Sequence, residues 1–166
     1  MHWIQEKHLF LDMKNLIEIK NLSIGFQSQL SKKNVVNSIS FNIPKGKTVA
    51  LVGESGSGKS VTAMSIVKLL PYPNAYHDSG EIIYNNIDLL KANRSTIEKI
   101  RGKNISAIFQ EPMTSLNPLH TIQKQINEIL IIHSSISLQE ANRKTTELLK
   151  LVGLENISER IKSYPP

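Results

Sequence analysis

Cysteine is absent from the 166 residues, which excludes disulfides and thiolate metal sites and fits a reducing compartment. Aromatic residues supply only 5% against 40% apolar residues, so aliphatic packing must build the core. No apolar run approaches the roughly twenty residues that a membrane-spanning helix needs. The longest obvious one, Ile129, Leu130, Ile131 and Ile132, is far too short. The first twelve residues carry Glu6, Lys7 and Asp12 without an apolar centre, which does not fit a signal peptide. The five histidines, His2, His8, His77, His120 and His133, show no ligand spacing and read as surface or edge residues. The net charge of +6 comes from scattered basic residues. Its densest group (Lys91, Arg94, Lys99, Arg101, Lys103) is interrupted by Glu98 and lacks the aromatic residues that a base-stacking platform uses, so nucleic acid is not an expected partner. The length suits about one domain.

What the chain does have is the octapeptide Gly53, Glu54, Ser55, Gly56, Ser57, Gly58, Lys59, Ser60, which fits the phosphate-cradling pattern G-x-x-x-x-G-K-[ST] without exception. An apolar run over residues 48–52 precedes it and reads as a buried strand, and residues 61–70 read as a helix. Glycines let the backbone curl so that successive N–H groups form an anion nest, and the helix adds the positive end of its dipole. The pattern assigns Lys59 to the β- and γ-phosphates and the Ser60 hydroxyl to Mg²⁺. Binding of a nucleoside triphosphate with Mg²⁺ follows as the expected chemistry.

Around this motif, residues 16–24 alternate as a strand, residues 27–34 read as a polar loop, and residues 35–43 read as a second strand. Residues 80–84 predict a short strand followed by a tight turn at Asn85 and Asn86. Ser95 and Glu98 have capping-box spacing, as do Ser137 and Glu140. Residues 105–109 form another short apolar strand, and the remainder is helical, with Gly153 as a helix stop. Met13 is an alternative start to Met1. Strands come first and helices last, so the chain is not an evenly alternating doubly wound fold.

Ile108, Phe109, Gln110, Glu111 and Pro112, about fifty residues past the phosphate motif, resemble the glutamine loop of ABC transporter ATP-binding subunits. The longer string 109–118 is similar to the peptide importer branch of that family (oligopeptide, dipeptide, nickel), and residues 119–121 and 53–63 resemble its microcin C type. The resemblance covers about residues 16–165. It implies an α/β P-loop NTPase core with an antiparallel β region and a helical subdomain, incomplete at the carboxy terminus. The implied division is a 1–15 extension, a 16–110 nucleotide-binding core, and a 111–166 glutamine loop with partial helical subdomain. It implies Gln110 as a ligand to Mg²⁺ and the attacking water, against the plain reading of a polar residue that ends a strand. Phe26 is either the family's adenine platform or an ordinary core phenylalanine. Glu111 is not expected to be the general base, because its loop serves coupling in the family.

The implied activity is ATP-driven uptake of peptides or related solutes. Implied partners are integral membrane permease subunits, a second ATP-binding domain in a head-to-tail dimer and, indirectly, a solute-binding protein. The implied location is peripheral, on the cytoplasmic face of the inner membrane. Tyr164 and Pro165 resemble the residues just before the family signature. The signature, the second phosphate-site Asp, the catalytic Glu and the switch His match nothing here, so no catalytic residue is assigned and little ATP turnover is expected of these residues alone. A nucleic-acid or ribosome ATPase of the same family, or a P-loop kinase or GTPase, is the alternative; no guanine-reading N-K-x-D is present.

Overall fold

A computed structural model describes residues 14–111 and 116–165. Contacts divide the chain into two units, Met1–Glu98 and Lys99–Pro166. The first unit is built on an antiparallel sheet of order β2-β1-β3-β4, with β1 Asn15–Gln27, β2 Lys32–Pro44, β3 Ala75–Tyr84 and β4 Ile87–Asp88. Helix α1, Lys59–Ile66, lies in sequence between β2 and β3. The first two strands are longer than the alternation suggests, so the 27–34 loop shrinks to residues 28–31. That turn closes on its own serines: Ser28 N–H donates to Ser31 O at 2.8 Å, and the Ser31 and Leu30 N–H groups donate to Ser28 Oγ at 3.2 and 3.3 Å. Leu30 stands 98% exposed at its tip.

Register shifts interrupt the β1–β2 ladder, and hydroxyls replace the lost bonds. Asn21 and Ser38 both take positive φ, 48° and 47°. The Asn21 N–H donates to Ser40 Oγ at 2.8 Å, and the Ser38 N–H donates to the buried Ser23 Oγ at 2.9 Å. Gly80, at φ 97°, passes so close that a Cβ there would lie 2.5 Å from Leu22 Cα and 2.6 Å from Asn21 O. Asn85 and Asn86 both have positive φ, as a two-residue hairpin turn between β3 and β4 requires. The core is aliphatic, led by Ile19, Leu22, Ile24, Ile82 and Leu89, each worth about 1.5–3 kcal/mol when fully buried.

Two expected strands do not form. Residues 48–52 and 105–109 form no strand among the described residues, Ile105 making only an isolated bridge with Arg101, and Val52 and Ile108 are 79% and 99% exposed. A strand is defined by its neighbours, and buried parallel strands need partners on both sides. The cap at 95 is also corrected: α2, Arg94–Ile100, is capped by Asn93, whose Oδ1 accepts from the Thr96 N–H at 2.9 Å. Glu98 pairs with Arg94 at 2.7 Å instead of closing a capping box.

The second unit packs α3, Ile122–Ser134, on α4, Leu138–Leu151, with the short α5, Ile157–Arg160, after them. The Thr121 and Ser137 side chains cap α3 and α4, accepting from the N–H groups of Lys124 and Glu140. Gly153 at φ 72° ends α4 as expected: its N–H bonds Lys150 O, and the Leu154 N–H bonds Leu149 O. Between α3 and α4 lies a buried polar chain. Thr145 Oγ1 donates to Asn127 Oδ1 at 2.7 Å, and Asn127 Nδ2 donates to Asn142 Oδ1 at 2.6 Å.

His77 is the titratable group most set apart by the fold. Burial pushes its imidazole below the ordinary value, and the Lys68 ammonium adds to this against an opposing effect of Asp88. Its Nε2 is buried without a hydrogen-bond partner among the described residues. The unfolded chain therefore takes up a proton at His77 more readily than the folded one. Its contribution is intact above the ordinary His value of about 6.5 and is lost as pH falls below it. In urea melts between pH 7 and pH 5, His77→Gln is expected to flatten the acid-side loss of stability; an unchanged slope would contradict this. Gly80→Ala, strained in φ and in space, is expected to cost roughly 1–3 kcal/mol in the same melts.

Candidate functional site

The phosphate motif runs from Gly53 into the first turn of α1. Gly58 is the N-cap of α1 at φ 87°, and no side chain caps the helix. The first N–H groups of a helix have no intrahelical acceptor, and the first turn of α1 holds no acidic residue. The helix start is therefore electropositive and open to an anion. The loop is tightened by the Ser57 N–H bonding Glu54 O at 3.2 Å. The buried Thr62 locks the cap: its N–H and its Oγ1 both donate to Gly58 O, at 2.8 and 2.9 Å.

Lys59 points back along its own loop. Its ammonium donates to Gly53 O at 2.9 Å, Glu54 O at 2.6 Å and Ser57 Oγ at 3.4 Å. The positive charge is thereby centred on the curl of residues 53–57. Ser60, next in the helix, is exposed with its hydroxyl beside that charge in sequence. A cavity of about 230 Å³ adjoins the loop, walled by Val36 and Ile39 of β2, by Leu51, and by Ser57, Lys59 and Thr62.

Gly58 fixes how the loop meets the sheet. A Cβ there would lie 2.8 Å from Val36 Cγ2 and 3.1 Å from Val35 O. Val36 pairs with Ile24 across β1–β2, and Phe26 lies two residues further along β1, between Lys33 and Ala75. Successive residues alternate faces, so Phe26 shares the face that carries Val36. Phe26 is half-buried. The sequence thus brings Phe26, Val36 and residues 53–60 to one unit. Gln110 belongs to the other unit, where it is exposed at a bend. Of its expected string, residues 112–115 lie outside the described residues, as does the 1–13 segment with its alternative starts.

Sequence reading missed Val36 and Thr62 as supports of the loop. Thr62 carried a signal, a hydroxyl four residues after Gly58 on the same helix face; Val36 carried none beyond its place in an apolar strand. No group of three or more His, Asp or Glu side chains able to hold a metal occurs among the described residues. No described helix is long and apolar enough to cross a membrane.

The family described as ABC transporter matches residues 36–165. A peptidoglycan transport ATP-binding protein, YejF of Agrobacterium fabrum, is 50% identical over 150 residues, covering 90% of this chain and 28% of that protein. The oligopeptide transport ATP-binding protein OppD of Bacillus subtilis is 43% identical over 90% of this chain and 42% of its own length. The chain therefore spans between about a quarter and a half of the curated relatives it matches. Among solved structures, the dimeric ATP-binding cassette MJ0796 bound to ADP and Pi superposes with TM-score 0.74 at 26% identity, covering 90% of this chain and 61% of that one.

The loop geometry predicts unequal glycines. Gly56, at φ 78°, has open space where a methyl group would stand, so Gly56→Ala should cost only backbone strain, about 1–2 kcal/mol. Gly58→Ala adds the collision with β2 and should cost measurably more in paired urea melts. Equal losses would show that Gly58 does not set the loop against the sheet.

Proposed function

The chain belongs to the ABC transporter family, and we propose that it is the nucleotide-binding portion of an ATP-binding subunit that drives peptide import. One observation carries the nucleotide part: a left-handed Gly58 wedged against Val35 and Val36 leads straight into an uncapped helix start beside Lys59. A side chain at 58 would collide with β2 and push the loop out of the curl that presents its N–H groups to a phosphate. The peptide part is supported by the 109–118 string and by relatives named for oligopeptide and dipeptide transport.

In this reading the N–H groups of residues 56–60 and the Lys59 ammonium hold the β- and γ-phosphates. To do so, Lys59 turns part of its hydrogen bonding from Gly53 O and Glu54 O toward phosphate oxygen. Mg²⁺ keeps several waters and needs few protein ligands beside the phosphates, which suits the lone Ser60 hydroxyl. When bound, it neutralises phosphate charge. Phe26 offers its ring to the adenine on the Val36 face. Gln110, whose amide both donates and accepts, serves as the further ligand to Mg²⁺ and water and as part of the segment that meets an integral membrane permease. Residues 111–166 act as part of a helical subdomain. A second ATP-binding domain and a peripheral position on the cytoplasmic membrane face complete the proposal.

The nucleic-acid alternative loses ground because two members of its basic cluster are already held by carboxylates. Lys91 pairs with Glu81 and Asp88 at 3.1 and 3.0 Å, and Arg94 with Glu98.

Lys59→Ala should weaken Mg-ATP binding roughly tenfold to a hundredfold by titration calorimetry, the worth of one charged hydrogen-bond set. Glu111→Ala, in the coupling segment next to Gln110, should leave that affinity within about twofold while reducing co-purification with a permease subunit. Preference for GTP, or loss of both properties together in Glu111→Ala, would count against the assignment.

A further inference from the structure

Opposite charges four residues apart on a helix ordinarily meet, and three pairs here do so. Arg94 reaches Glu98 at 2.7 Å, Arg143 reaches Glu147 at 2.9 Å, and Lys144 reaches Glu140 at 3.4 Å. Lys124 and Glu128 of α3 have the same spacing and stay apart. Lys124 Nζ lies 3.0 Å from His120 Nε2 instead, and the Glu128 carboxylate has no hydrogen bond or ion pair among the described residues. Cation-first order does not explain the separation, since Arg94–Glu98 and Arg143–Glu147 share that order and pair.

Both side chains line a cleft of about 660 Å³ along α3 and α4. Its other polar walls are His120, Thr121 and the amides of Gln123, Asn127 and Asn142, and two of these amides have capacity to spare. Asn142 Oδ1 accepts from Gln123 Nε2 at 2.9 Å and from Asn127 Nδ2, which leaves Asn142 Nδ2 as a donor and Gln123 Oε1 as an acceptor without partners among the described residues. Ile131 and Leu138 give an apolar wall. The cleft thus presents a cation, an anion, one amide donor, one amide acceptor and an aliphatic surface.

We infer that this cleft binds a dipeptide with free termini. Its carboxylate meets Lys124, its ammonium meets Glu128, and its single peptide group meets the Asn142 donor and Gln123 acceptor. The lengths agree: four helical residues rise about 6 Å, and two extended residues span about 6–7 Å. A single amino acid carries its charges on one Cα, too close together to reach both. The cleft volume falls in the range of small-ligand sites, about 300–1,000 Å³. The site lies in the helical unit and shares no residue with the phosphate loop. It places a sensor for short peptides on the ATPase itself, and its failure would leave the nucleotide assignment untouched.

The test is calorimetric titration of the full chain with alanyl-leucine at low salt, with Mg-ATP titrated into the same preparation as a separate readout. Saturable binding at about 1 mM or tighter is expected. It should weaken at least about tenfold for the N-acetylated and C-amidated dipeptides, and for Lys124→Gln and Glu128→Gln. NMR of the unaltered protein supplies a second reading that needs no variant: the Gln123 and Asn142 side-chain amide signals should move with dipeptide concentration. No saturable heat with unmoved amide signals overturns the inference. So does equal binding of the capped peptides.

Discussion

The contact between Gly58 and β2 is the constraint from which the nucleotide-binding unit takes its form. Val35 O and Val36 Cγ2 leave room for a hydrogen at position 58 and for nothing larger. That closeness excludes a Cβ, and the left-handed Gly58 leads directly into the uncapped start of α1. Thr62 then ties the first turn of the helix to Gly58 O through two hydrogen bonds. Helix dipole, lysine charge and glycine curl converge because one strand presses on one residue. The antiparallel sheet is in this sense the support of the phosphate loop, and its bulges at Asn21 and Ser38 are tolerated because hydroxyls nearby complete the bonding.

How much of this was legible depended on where each specification lies. The phosphate motif was readable because anion binding by backbone demands glycine at fixed positions and lysine at one. The Ser137 cap and the Gly153 stop were readable because both act within five residues of themselves. The Ser95 cap was not, since Asn93 two residues earlier offered a better acceptor and Arg94 drew Glu98 away. Residues 48–52 and 105–109 have the composition of strands, yet composition cannot supply the neighbour that makes a strand. The Asn127–Thr145 bond was invisible for a related reason: neutral polar residues at helical spacing look like a solvated face until a second helix turns them inward.

The two units use polar groups in opposite ways. In the first, polar side chains mend a backbone that strays from regular geometry. In the second, Gln123, Asn127, Asn142 and Thr145 link two regular helices through their side chains. A half-satisfied polar chain is costly, and a complete one fixes a single register between helices. The spare valences at Asn142 and Gln123 lie at its open end, where solvent or a ligand can complete them.

The β1–β2 hairpin ends in a turn that needs nothing from the rest of the molecule. Ser28 and Ser31 bond one another, and Leu30 touches solvent on nearly every side. Ladder pairing resumes at once with Gln27 and Lys32. An epitope tag or fluorescent reporter spliced between Ser28 and Ser31 therefore extends a closed loop whose entropy cost grows only slowly with length. This tip is the natural place to mount a probe without disturbing strand registry.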